Sequence, residues 1–348
     1  MKKGIILFAM MLLYGASMLM AKTAIQRTTE VYSIKGKDTL QVDVYVNPQT
    51  EQKAEGRPVM LYVHGGGFTA GDRVNAAQQV YFHFLADKGW LVASINYRLA
   101  GLSATEDGKI NNPYNVSGTL EAIRIACADA IDATNYLLKQ TKWKINANQI
   151  VLGGGSAGAM TSLQLVYDAC NEEAYTQTLP KGFKYAGVIS QAGAITVPKS
   201  QEALVWKNEP CPIMLMHGSV DNTVPLEQGG IDVIDLGDPC KFFGTEYISR
   251  QLKEMEVPYW RFISKGADHV IAMLALTSYL EEQYRFLNDF CINGLQSSVN
   301  TEVADKEPAN MSDVSQMVKY VPLYILGYGK YLEDMDWNNI QKPDSIVY

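Results

Sequence analysis

Two segments near the start of the chain, TEVYSIKG (29–36) and TLQVDVYVN (39–47), alternate apolar and polar residues on either side of KGKD. A period of two on both sides of a short glycine turn predicts an antiparallel hairpin with one face covered. The rhythm then changes. PVMLYVHGGG (58–67) is a continuous apolar run ending in glycines, as expected of a strand buried on both faces, and AAQQVYFHFLADKG (76–89) follows with helical spacing. The alternation continues with a strand at WLVASINYR (90–98) and a polar stretch from 99 to 118. A long helix follows at TLEAIRIACADAIDATNYLLKQ (119–140), then a strand at NQIVLGGG (148–155) and a helix at SAGAMTSLQLVYDAC (156–170). Strands are expected at YAGVISQAG (185–193), CPIMLMHG (211–218) and YWRFISKG (259–266). Helices are expected at TEYISRQLKEM (245–255) and, in one piece, at VIAMLALTSYLEEQYRFLNDF (270–290). A hairpin followed by βα repeats implies a doubly wound, mostly parallel eight-stranded sheet with helices on both faces. Beyond Cys291, residues 292–313 read as a polar linker. Residues 314–337 form an aromatic-rich tail, either a surface helix packed on the domain or a partner-binding segment.

In such sheets ligands bind beyond the carboxyl ends of the strands, so the loops there are where chemistry belongs. Gly154-Gly155-Ser156-Ala157-Gly158 fits G-x-S-x-G, with an apolar strand before it and an apolar-patterned helix after it. That context distinguishes a nucleophile elbow from a plain glycine turn with an N-cap serine. A serine hydroxyl attacks a carbonyl only if a base takes its proton and preorganised donors hold the oxyanion. His64-Gly65-Gly66-Gly67-Phe68 offers such donors, because consecutive glycines leave backbone N–H groups free to point into a loop. The expected oxyanion hole is Gly66, Gly67 and Ala157.

Four histidines make the base a matter of elimination. His64 belongs to the glycine loop and His83 to a helix rich in aromatics. His217 ends a strand, whereas His269, in SKGADHV, lies in the loop after the last expected strand, where it can reach Ser156. With chain order serine, acid, histidine, His269 is the expected base and His217 its rival. Asp221, three residues beyond Gly218, is the expected acid. Asp232, Asp235 and Asp238 lie deeper in the same connection, and Asp268 adjoins the base itself.

Composition narrows the setting. A net charge of −7 without a cluster of Lys and Arg argues against nucleic acid or an anionic membrane surface as partner. The first 21 residues have the layout of a secretory signal: Lys2 and Lys3, an apolar run to Leu13, then small residues ending at Ala21. The expectation is a secreted or periplasmic protein without stable membrane insertion once the signal is removed, the alternative being an uncleaved anchor. Five cysteines (Cys127, Cys170, Cys211, Cys240, Cys291) lack metal-site spacing. They are either buried small hydrophobes or, with Cys211 and Cys240 as the candidate pair, partly disulfide-bonded.

HGGGF, SINYRL, GGGSAGA, HGSVDNTVP and GADH, in that order, resemble the α/β-hydrolase superfamily in its carboxylesterase and hormone-sensitive-lipase-like branch. The resemblance covers residues 28–292, expected to form the hydrolase domain, and leaves 293–348 as an extension of open role. It implies the α/β-hydrolase fold and a serine ester hydrolase with Ser156, Asp221 and His269 as triad and no metal or organic cofactor. Its substrates would be small or medium acyl esters, or acetyl and feruloyl esters on plant polysaccharide. A prolyl-oligopeptidase-like peptidase and an inactive binding protein on the same scaffold are the rival readings. The short connection between SQAGA and CPIML leaves no room for a large lid.

Overall fold

The computed structural model describes residues 25–51, 54–105, 109–231 and 240–304. The hairpin is β1 (Gln26–Lys35) and β2 (Asp38–Val46), antiparallel, with Gly36 taking the left-handed turn at φ 62°. The remaining strands of the main sheet are β3 (Arg57–Val63), β4 (Leu91–Ile95), β5 (Ile145–Gly155), β6 (Gly187–Gln191), β7 (Ile213–Gly218), β8 (Tyr259–Lys265) and β9 (Ser298–Ala304). Their order across the sheet is β1-β2-β4-β3-β5-β6-β7-β8-β9, antiparallel at the hairpin edge and parallel from β4 onward. Helices α1 (Ala76–Asp87), α2 (Thr119–Leu138), α3 (Ala157–Cys170), α4 (Thr245–Glu254), α5 (Ile271–Leu274) and α6 (Leu280–Phe286) connect them.

Two apolar layers hold this arrangement, one on each face of the sheet. Side chains alternating along the strands explain both: Val59, Leu61 and Val63 of β3 pack with α2, α3 and α4, while Met60 and Tyr62 pack with α1 and α6. All five of those β3 side chains are buried, which is why the segment reads as an unbroken apolar run.

The structure departs from the sequence expectations in three places. The sheet has nine strands where eight were expected, because Ser298–Ala304, read as linker, pairs in parallel with β8. The domain therefore extends past residue 292. This strand alternates exposed and half-buried residues and turns only Val299 and Val303 onto the core, too little apolar character to signal a strand. The expected helix 270–290 is interrupted between α5 and α6, then ends in a wide turn over Leu287–Ile292. The buried Gln283 amide donates to the carbonyls of Ala275 and Tyr279, tying the end of α5 to the start of α6 across the break. The connections on either side of β7, expected as plain, add a small antiparallel sheet of 195–198, 228–229 and 240–243. None of the five cysteines is in a disulfide; Cys211 and Cys240 are free thiols. The signal segment, the aromatic tail, Asp232, Asp235 and Asp238 lie outside the described residues. No helix among the described residues is long and apolar enough to cross a membrane.

Candidate active site

The turn from β5 into α3 places Ser156 at φ 53°, ψ −120°, a region that a non-glycine residue occupies only when its surroundings impose it. Packing imposes it here. A Cβ on Gly158 would stand 1.9 Å from the Val63 carbonyl oxygen, and one on Gly154 would stand 2.4 Å from the Gly158 backbone. The end of β3 and the start of α3 thus touch backbone to backbone, and the only way from β5 into α3 at that distance is a sharp turn with the serine at its apex. The Ser156 amide donates to the Gln191 carbonyl at 2.8 Å, pinning the apex to the end of β6.

His269, in the loop between β8 and α5, meets Ser156 Oγ through Nε2 at 2.8 Å. Its Nδ1 meets Asp221 Oδ2 at 2.8 Å. An ionised carboxylate can only accept, so Nδ1 carries the ring proton and Nε2 presents a lone pair to the serine hydroxyl. Asp221 lies in the loop after β7, where its Oδ1 accepts the amides of Thr223 and Val224, each at 2.9 Å. Burial works to raise the Asp221 pKa, but hydrogen bonds from His217 and His269, with their charge, hold it well below the usual carboxylate range. The acid is therefore ionised at ordinary pH. Asp268 turns away: its carboxylate accepts the Val270 amide and shapes the turn that carries His269.

His217, the rival base, is on the far side of the acid. Its Nε2 is 3.2 Å from Asp221 Oδ2 and 3.1 Å from the Val224 carbonyl, and its Nδ1 is 3.0 Å from Thr245 Oγ1. His83 is buried in α1, its ring beside Tyr45.

The glycine loop adjoins the elbow directly, since a Cβ on Gly65 would lie 2.8 Å from the Gly155 carbonyl and 3.3 Å from Ser156 Cβ. Gly66, Gly67 and Phe68 follow with φ of 119°, 60° and 64°, a left-handed run that curls the loop. The Gly66 carbonyl accepts Thr69 and Ala70, closing the curl. Among the described residues no acceptor pairs with the N–H groups of Gly66, Gly67 or Ala157, which leaves them available to an oxyanion. His64 braces the loop: its Nδ1 donates to the Gly65 carbonyl at 2.7 Å and its ring stacks on Tyr97. Burial pushes its pKa down to about 4, so the ring is neutral at ordinary pH.

Sequence reasoning missed two supports. Tyr97 of SINYRL donates its hydroxyl to the His64 carbonyl, so that motif anchors the glycine loop. Beneath the elbow Gln191 accepts from Tyr62 and donates to Gln283, a buried polar chain reaching α6. A buried glutamine within an apolar strand was the available signal.

The fold also recurs in solved structures. MGS-M1, an α/β hydrolase enzyme from a Medee basin deep-sea metagenome library, superposes with a TM-score of 0.50 over 77% of this chain and 98% of that one at 16% identity. The chain has the α/β-hydrolase fold. Residues 42–203 of this chain match the model of the BD-FAE family. Esterase 2 of the planctomycete Thermogutta terrifontis shares the fold at a TM-score of 0.51, 18% identical over 77% of this chain and 93% of that one. Among curated proteins, Gut esterase 1 of Caenorhabditis elegans is 26% identical over 42% of this chain and 24% of its own length. The 2-hydroxyisoflavanone dehydratase of Glycyrrhiza echinata is 26% identical over 61% and 65%. The chain thus spans less than two thirds of either relative. One is an esterase by name and the other a dehydratase, so likeness at this level leaves the reaction to be argued from the site.

Proposed function

We propose that this protein is a serine ester hydrolase in which Ser156 is the nucleophile, His269 the base and Asp221 the acid. The observation that carries the reading is the unbroken chain of hydrogen bonds from Ser156 Oγ through His269 to Asp221, each at 2.8 Å. In the first half-reaction Nε2 of His269 takes the serine proton as Oγ bonds to the ester carbonyl. The carbonyl oxygen becomes anionic against the N–H groups of Gly66, Gly67 and Ala157, and the imidazolium, balanced by Asp221, hands its proton to the departing alcohol. Water then attacks the acyl-enzyme by the same route, returning the acid product and the free serine.

The substrates proposed are small and medium acyl esters, with acetyl or feruloyl groups on plant polysaccharide as the exported protein's targets. The short connection between β6 and β7 supports this reading, since it leaves no room for a large lid there. The likeness to esterases supports the reaction class, including the likeness to Thermogutta terrifontis esterase 2 phosphorylated by paraoxon.

Ser156→Ala tests the reading. Turnover of p-nitrophenyl acetate should fall by a factor on the order of 10⁶, because without the hydroxyl no acyl-enzyme forms, while the melting curve stays in place. Undiminished turnover would sink the assignment. A panel of acetyl, butyryl, feruloyl and long-chain esters then sorts the acyl preference.

A further inference from the structure

We infer that His217 is a positioning residue for this triad: it clamps Asp221 from the side opposite His269 and competes for the oxygen on which His269 relies. The inference rests on the ester-hydrolase reading and deepens it.

His217, Asp221 and Thr245 form a group whose side chains are wholly shielded from solvent or nearly so. Both neighbours of His217 Nε2, the Val224 carbonyl and Asp221 Oδ2, are acceptors only. Nε2 therefore carries a proton and shares it between them. At Nδ1 the Thr245 hydroxyl, itself buried at the start of α4, fixes the ring from behind. The imidazole cannot turn without losing all three contacts. Asp221 Oδ2 thus receives two imidazole N–H groups, from His269 at 2.8 Å and His217 at 3.2 Å, while Oδ1 receives two amides. The titratable groups facing Asp221 are His217, from the end of β7, and His269, from the loop after β8; the other contacts are backbone amides.

Two effects follow from this sharing. The second donor fixes the rotation of the carboxylate, so that Oδ2 rather than Oδ1 faces His269. It also draws electron density from Oδ2, so that Asp221 stabilises the imidazolium of His269 less than a carboxylate with one imidazole partner would. Loss of the His217 donor should therefore make protonated His269 easier to form, and the acid limb of the rate profile should move to higher pH.

The test uses the full chain and p-nitrophenyl acetate, with kcat, KM and the pH profile of kcat/KM measured for three variants. His217→Leu should lower kcat by about ten- to a hundredfold, a fraction of what loss of the triad acid costs. It should leave KM unchanged and raise the acid limb by about half a pH unit. His217→Gln, which restores an N–H at the position of Nε2, should recover part of the rate and return the limb toward wild type. Thr245→Val, close in shape and lacking the hydroxyl behind the ring, should displace the limb in the same direction. If His217→Leu does not fold, Thr245→Val decides. An unmoved acid limb in the folded variant overturns the inference, whatever happens to the rate, because a purely structural histidine has no means of shifting it. The ester-hydrolase reading fails separately, on Ser156→Ala or on a wild-type chain that does not turn the ester over.

Discussion

Gly158→Ala puts the elbow geometry to its sharpest test. Gly158 is the second residue of α3 and its φ is not in the left-handed region, so alanine is compatible with its backbone conformation. At an open helical position the change would stabilise the protein by about 1 kcal/mol. Here the new methyl would stand 1.9 Å from the Val63 carbonyl oxygen, 2.6 Å from its carbon and 2.8 Å from the His64 carbonyl oxygen. All three are backbone atoms at the end of β3, with no side chain to swing aside. Reaching even 3.0 Å from the Val63 oxygen requires α3 and β3 to separate by 1.1 Å. Overpacking of this kind costs about 1–3 kcal/mol, more than the helical gain, so the melting temperature should fall. The separation also carries Ser156 away from His269 Nε2, now 2.8 Å distant, beyond hydrogen-bond range. Misplacement on the order of 1 Å at a reacting group costs about 10²-fold in rate, and the loss should appear in kcat. Thermal denaturation followed by circular dichroism, together with steady-state hydrolysis of p-nitrophenyl acetate, measures both. A variant at least as stable as wild type with full kcat would refute the claim that contact between β3 and α3 sets the serine's position.

Two further substitutions separate electrostatics from packing. Asp221→Asn keeps the shape but replaces an acceptor with an amide that can donate to His269 Nδ1, favouring the tautomer that cannot take the serine proton. kcat should drop by about 10⁴ with little change in KM, and a loss of less than tenfold would remove Asp221 from the triad. His64 tests burial. Its pKa is held at about 4 against an ordinary 6.5, so below pH 6.5 the unfolded chain binds a proton that the folded chain refuses. Its contribution to stability is thus complete above pH 6.5 and is lost as the pH falls toward 4, by about 2 kcal/mol between pH 7 and pH 5. Urea midpoints of wild type and His64→Gln at the two pH values should show the smaller acid loss in the variant; equal losses would contradict the account.

The sequence carried most of the architecture because its signals are local. Period-two alternation in β1 and β2 and unbroken apolar runs in β3, β5 and β7 mark half-buried and fully buried strands respectively. Ser156 was legible for a related reason: glycines on both sides of a serine, between an apolar strand and a helix, answer a steric demand that acts within five residues. His269 and Asp221 could be named by position along the chain, since each falls in a loop at a strand end. Their hydrogen bonds could not, because Ser156 and His269 are separated by 113 residues and meet only through the closing of the sheet. The same holds for His217. Its place in the sequence made it a rival base, and only the packing of α4 behind β7 put it on the far side of the acid.

What the chain alone determined were the elements and the residue types at their ends, because hydrophobic period, glycine and turn chemistry are properties of neighbours in sequence. What only the tertiary structure decided was partnership. The cysteines stayed unpaired, a polar segment became β9 when β8 offered it an open edge, and the helix before Phe290 broke where the Gln283 amide bridges the carbonyls of Ala275 and Tyr279. Each of those outcomes depends on which groups distant in the chain come within hydrogen-bonding or packing distance, and no local pattern encodes that.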